Sequence, residues 1–175
     1  YDGVPINKID IHWLRAQISY VPQDVFLFSD TVQNNIAFGV DEASISEVIN
    51  AAKIAGIHNE IEGFSEGYQT MIGERGVTLS GGQKQRISIA RASLKNPSMV
   101  IFDDCLSAVD AKTEKEILNN LNIWWKDKTA IIITHRIFSL LHFDKIIVLE
   151  EGKVIEQGTH ADLLLLNGFY AKMYA

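Results

Sequence analysis

Two adjacent carboxylates, Asp103 and Asp104, close the apolar run Met99-Val100-Ile101-Phe102. A continuous apolar run of this kind reads as a buried parallel strand, and such strands deliver polar residues at their C-terminal ends. A carboxylate fixed there can hold Mg²⁺ through its waters, while its neighbour orients an attacking water. Adjacent aspartates also serve as plain helix or loop caps, so the pair needs a companion signal. That companion lies upstream, in Leu79-Ser80-Gly81-Gly82-Gln83-Lys84-Gln85-Arg86. Glycines there remove side chains at a helix start, where free backbone amides can meet phosphate oxygens. As a glycine-rich turn alone the signal is weak; joined to a carboxylate-bearing strand it points to phosphate chemistry.

The elements that must position these residues can be read from pattern. Ile18 to Val21 predicts a strand stopped by Pro22, which leaves Gln23 and Asp24 in a loop. Ser44 and Glu47 have capping-box spacing, with Ile45, Val48, Ile49 and Ala52 as the apolar side of a helix that Gly56 closes. Thr70 to Leu79 has no helical period. Ser80 and Gln83 open the next helix, with Ile87, Ala90, Arg91 and Leu94 at helical spacing before Pro97. Asp110 caps a helix through Leu121. Ala130 to Ile133 and Ile146 to Leu149 read as two further buried runs, the first leading into Thr134-His135-Arg136. Glu151-Gly152 turns into Lys153 to Glu156, a hairpin signal. Strands alternating with helices define an α/β class. With three prolines, no repeat and no linker, the chain reads as one unit.

Composition narrows the function. The 175 residues, 47% hydrophobic and 22% charged, suit a globular core. A net charge of -6 and a pI near 5.3 give no global attraction to nucleic acid or anionic lipid. A single cysteine, Cys105, excludes an intrachain disulfide framework and leaves too few soft ligands for a structural zinc site. No window is long and apolar enough to span a membrane, and Tyr1 opens no recognisable targeting signal, so the chain is expected to be soluble as it stands.

At this point the sequence resembles the nucleotide-binding domain of ATP-binding cassette (ABC) transporters of the exporter type, across essentially its whole length. Val21-Pro22-Gln23-Asp24 resembles the Q-loop, Leu79 to Gln83 the signature motif, and Met99 to Asp104 the Walker B strand. Ser107-Ala108-Val109-Asp110 resembles the D-loop, Thr134-His135-Arg136 the switch-histidine motif, Gly73-Glu74-Arg75-Gly76 the exporter X-loop, and Gly152 to His160 the exporter tail. The resemblance implies a P-loop NTPase-like α/β fold with a helical signature subdomain at about residues 31–95.

It also implies roles. Asp103 would be the magnesium carboxylate, Asp104 would stand at the catalytic position, and Gln23 would approach both Mg²⁺ and the attacking water. Ser80, Gly81, Gly82 and Gln83 would meet the γ-phosphate of a nucleotide held chiefly by a second subunit. Asp110 would communicate across that dimer, and His135 would contact the γ-phosphate and position the water. Glu74 would lie near the membrane domain, which the Q-loop and X-loop would contact. Cofactors would be ATP and Mg²⁺, the partners a second nucleotide-binding domain, alike or different, and a membrane domain, with no nucleic acid. The intact protein would work at the cytoplasmic face of the membrane as a transport ATPase. His12, His58, His142 and His160 lack metal-ligand spacing and read as structural.

Two departures accompany the matches. The Walker A pattern GxxxxGK[ST] is missing; the only Gly-Lys pair is Gly152-Lys153. In the family that loop and its strand precede the region starting near Tyr1, so the chain is expected to be an incomplete domain. It should bind ATP weakly or not at all by itself, turn over negligibly, and lack a central strand. The second departure is Asp104, where the family ordinarily has Glu. One methylene less predicts a slow site, as in the regulatory, degenerate subunit of a heterodimeric exporter. A third reading, the ATPase head of a DNA-repair or chromosome-organising protein, would call for a long coiled-coil insertion and basic patches that the sequence does not show.

Overall fold

A computed structural model describes residues 1–73, 77–136 and 143–174. Contacts divide the chain into two compact units, Tyr1–Ile133 and Thr134–Ala175, where the absence of a linker suggests one. The division follows the sheets: strands of the first unit pair among themselves, and so do those of the second.

In the first unit, α1 (Ile11–Gln17) is capped by Asp10, whose carboxylate accepts the Trp13 N–H at 2.8 Å, and runs directly into β1 (Ile18–Val21). Four α-helices follow among the described residues: α2 (Val32–Ala37), α3 (Ile45–Ile54), α4 (His58–Glu62) and α5 (Gly81–Leu94). They fall within the stretch expected to be helical. Both anticipated capping boxes form, Ser44 with Glu47 on α3 and Ser80 with Gln83 on α5. Gly56 takes φ +64 just beyond α3, a left-handed stop that a side chain would strain. β2 (Met99–Asp103) then runs parallel between β1 and β3 (Thr129–Ile133), with α6 (Ala111–Trp124) as the crossover. Asp110 caps α6, which extends to Trp124, one turn beyond the expected Leu121.

The core lies where α5 packs on α2, α3 and β1. Val21, Val32, Ile36, Val48, Ile87, Ile89 and Val100 are fully enclosed. That places one face of α5 deep in the unit while its N-terminal turn reaches the surface. Central β2 alternates, with Val100 and Phe102 buried and Met99, Ile101 and Asp103 half-buried. Neither of the two further runs expected to be buried is wholly enclosed. Ile131 and Ile133 of β3 are 43% and 50% exposed, because β3 pairs with β2 on one side and stands at the margin of its sheet.

In the second unit, β4 (Ile146–Glu150) and β5 (Lys153–Gly158) form the expected antiparallel hairpin. A two-stranded sheet buries at most one face, so Ile147 and Leu149 are exposed rather than enclosed. Thr159 and Asp162 form a capping box on α7 (His160–Leu166), and α8 (Phe169–Tyr174) completes the unit. Its small core comprises Ile146, Leu163 and Tyr170, with Val148 and Leu164 against it.

Candidate ATPase site

The parallel sheet positions the carboxylates. Asp103 is the last residue of β2, and the Tyr20 hydroxyl on β1 donates to its Oδ2 at 2.8 Å. That bond, formed to a carboxylate, holds the Tyr20 hydroxyl above its ordinary pKa. Asp104 follows in the left-handed conformation, φ +43, uncommon for a residue with a side chain. Its N–H donates to the Ile133 carbonyl at 2.8 Å, so β3 fixes the turn that ends β2. Gln23, exposed just beyond β1, reaches Asp104: its Nε2 stands 3.5 Å from Oδ2. Two residues distant in sequence and expected to share the attacking water therefore share a sheet edge.

The signature turn is built by local chemistry and close packing. The Ser80 hydroxyl accepts the Gln83 N–H at 3.2 Å, and Gln83 Oε1 accepts the Ser80 N–H at 2.9 Å. The amides of Gly81 and Gly82 head the helix, where no intrahelical acceptor exists. These glycines also let the turn approach the loop after Asp104. A Cβ on Gly82 would stand 2.8 Å from the Ala108 carbonyl oxygen, and one on Gly81 3.3 Å from the Ala108 Cβ. Asp110 ends that loop by accepting the Lys112 and Thr113 N–H groups, each at 3.1 Å. The bonds from Thr113, then Lys112, hold its carboxyl below the ordinary range.

Sequence reasoning missed the residues that brace this turn. Glu60 on α4 accepts from Gln83 Nε2 at 3.0 Å and from both terminal nitrogens of Arg86. Burial pushes its carboxyl up, but the bonds from Arg86 and Gln83 outweigh that and leave it below its ordinary value. Arg86 Nε donates to the Gly82 carbonyl at 3.2 Å. Gln85 and Arg86 stand inside the quoted motif and could have been singled out; nothing local in the sequence marks Glu60 or Tyr20. Cys105 is buried, and desolvation pushes its thiol up to about 12, so it is an inert core residue.

His135 belongs to the second unit and is exposed; beside it, the Arg136 N–H donates to Thr134 Oγ1 at 2.9 Å. Glu74 of the X-loop and His142 lie outside the described residues. Gly152-Lys153 sits at a hairpin, with Glu151 and Gly152 at φ +48 and +76, not at the start of a helix. His58 and His160 bond Tyr68 and Tyr170 through Nδ1, the structural roles expected of them. Among the described residues no group of three His, Cys, Asp or Glu is placed to hold a metal by protein ligands alone. One or two carboxylates at a strand end suit Mg²⁺, which keeps waters and is completed by nucleotide phosphates.

A parallel sheet bearing paired carboxylates at its edge, with a glycine-headed helix packed on the following loop, defines the ABC type of ATPase domain. The family model described as "ABC transporter" matches residues 1–107, and the chain belongs to that family. It is 49% identical over 174 residues to the "Probable multidrug resistance ABC transporter ATP-binding/permease protein YheI" of Bacillus subtilis (strain 168), covering 99% of this chain and 30% of that protein. It is 47% identical over 173 residues to the "ATP-dependent lipid A-core flippase" of Legionella pneumophila (strain Paris), covering 99% of this chain and 29% of that one. Among solved structures it matches "Structure of a bacterial Atm1-family ABC exporter with ATP bound" with a TM-score of 0.93 and 45% identity, over 99% of this chain and 30% of that chain. The chain thus spans about 30% of the length of the relatives it matches. These relatives are transport proteins and side against the DNA-repair reading.

Proposed function

We propose that this chain is the larger part of the ATP-hydrolysing domain of an exporter, carrying the Q-loop, signature, Walker B, D-loop and switch-histidine residues. The observation that carries the reading is the meeting of the Gln23 amide with the Asp104 carboxylate beside Asp103 at one sheet edge. In this reading Asp103 holds Mg²⁺, which when bound neutralises charge on the phosphates of ATP. Asp104 accepts a proton from the attacking water, and Gln23 orients that water through its amide. His135 contacts the γ-phosphate once ATP is seated.

The turn of Ser80, Gly81, Gly82 and Gln83 meets the γ-phosphate of a nucleotide held by a second domain, and Asp110 lies at that junction. The partners are that domain and a membrane domain contacted through the segment after Gln23 and through the X-loop, at the cytoplasmic face. Around that segment Phe26, Phe28 and Phe38 form an exposed aromatic cluster, with Arg91 stacked over Phe28 and Phe38. Amides to cradle the β-phosphate would come from a Walker A loop that this sequence does not contain. The 175 residues alone therefore bind ATP weakly and do not turn over.

Asp104 favours a specific form of this reading: a slow site, with the intact signature serving its counterpart across the dimer. Replacing Asp104→Glu in the full-length exporter restores the missing methylene. Turnover at that site should rise by up to about a hundredfold. A variant no faster than the parent would contradict the view that reach limits the rate.

A further inference from the structure

Gln85 has no role in the chemistry above, yet it is 5% exposed and both ends of its amide are engaged. Its Oε1 accepts the Ala108 N–H at 3.0 Å, and its Nε2 donates to Ser107 Oγ at 3.1 Å. A backbone N–H can only donate, so Ala108 dictates which end of the amide is oxygen and leaves the NH₂ facing Ser107. The Ser107 hydroxyl, accepting from Gln85, uses its own proton on the Asp104 carbonyl at 2.9 Å. Donors and acceptors thus run in one direction, from α5 through Ser107 to the peptide of Asp104. Asp104 occupies a left-handed conformation that persists only when its surroundings over-determine it. Its N–H is held by Ile133, and its carbonyl accepts both the Ser107 N–H at 3.2 Å and the Ser107 hydroxyl, of which Gln85 orients only the hydroxyl.

We infer that Gln85 is a positioning residue for Asp104: it orients the Ser107 hydroxyl, which clamps the Asp104 backbone and so aims the carboxylate. The inference rests on the reading of Asp104 as the residue that receives the water's proton. It also gives the signature helix a physical connection to the carboxylate of its own chain. A purely space-filling Gln85 would need neither bond.

The test uses the full-length exporter in a dimer whose counterpart site is inactivated, so that turnover reports the Asp104 site, with three substitutions, Gln85→Glu, Ser107→Ala and both together. The carboxylate introduced by Gln85→Glu still accepts the Ala108 N–H but cannot donate to Ser107. It draws the Ser107 proton to itself and away from Asp104. Each single variant should lower kcat for ATP about tenfold, part of the roughly hundredfold that a 1 Å displacement costs, with KM for ATP changed less than twofold. The double variant should be no slower than the slower single one, because both act through one bond to Asp104. Ser107 is exposed, so Ser107→Ala tests the clamp even where Gln85→Glu does not fold. Unchanged kcat in Ser107→Ala, losses that multiply in the double variant, or KM and kcat moving together would overturn the inference. Parent activity that survives Asp104→Asn would instead overturn the reading of Asp104 on which it rests.

Discussion

Two glycine turns invite comparison, Ser80-Gly81-Gly82 and Glu151-Gly152-Lys153. Gly82 needs no left-handed backbone, but it is crowded: a Cβ there would meet the Ala108 carbonyl at 2.8 Å. Gly152 is the reverse, with φ +76 and nothing within 4 Å of where a Cβ would stand. The first turn opens a 14-residue helix and leaves its leading amides without intrahelical acceptors. The second joins two antiparallel strands and has the left-handed pair of angles that a tight hairpin uses. Glycine serves close approach in one place and backbone conformation in the other. Only the first heads a helix with free leading amides, the arrangement that phosphate binding needs, so a Gly-Lys pair at a hairpin does not replace a phosphate loop.

Alanine substitutions should break the two turns differently. Gly82→Ala forces the signature turn away from the Asp104 loop. It should cost about 1–3 kcal/mol in denaturant unfolding and lower exporter ATPase at least about tenfold. Gly152→Ala meets no neighbour and should cost about 1 kcal/mol from its left-handed backbone, with ATPase within about twofold of the parent. Equal losses of activity in the two variants would remove the distinction.

The strand ends and caps were legible because their signals are local. Ser44 with Glu47, Ser80 with Gln83, and Asp110 each satisfy helix amides within four residues, so spacing alone finds them. The apolar run before Asp103 likewise declared a parallel strand. The exposure of Ile131, Ile133, Ile147 and Leu149 is not legible in the sequence, because an apolar run reports composition, not the number of strands beside it. Tyr20 on Asp103 and Glu60 on Arg86 join residues 83 and 26 positions apart, and no local period encodes such pairings. The roles proposed for His135 and Gln23 rest on the order of motifs; a loop amide or a lone histidine by itself carries no such signal.

A smaller effect separates the caps by pH. Hydrogen bonds hold the carboxyls of Asp110, Glu47 and Asp162 below their ordinary values, through Thr113, Ser44 and Thr159 respectively. Lowered folded-state values mean stability that is present above the unfolded values and lost as pH falls through the folded ones. Unfolding followed from pH 6 downward should show stability constant to about pH 5 and declining below about pH 4. Asp110→Asn, which keeps an acceptor for the Lys112 and Thr113 amides, should flatten part of that decline. An unaltered acid profile would mean the cap contributes nothing measurable.

The most direct measurement is calorimetric titration of Mg-ATP into this 175-residue chain and into a chain extended upstream through the Walker A loop. Binding by the extended chain alone is expected if the signature turn, Asp103 and Asp104 act together with the phosphate cradle of a Walker A loop. Equally tight, stoichiometric binding by both would contradict it and require a phosphate site within Tyr1 to Ala175 that works without that loop.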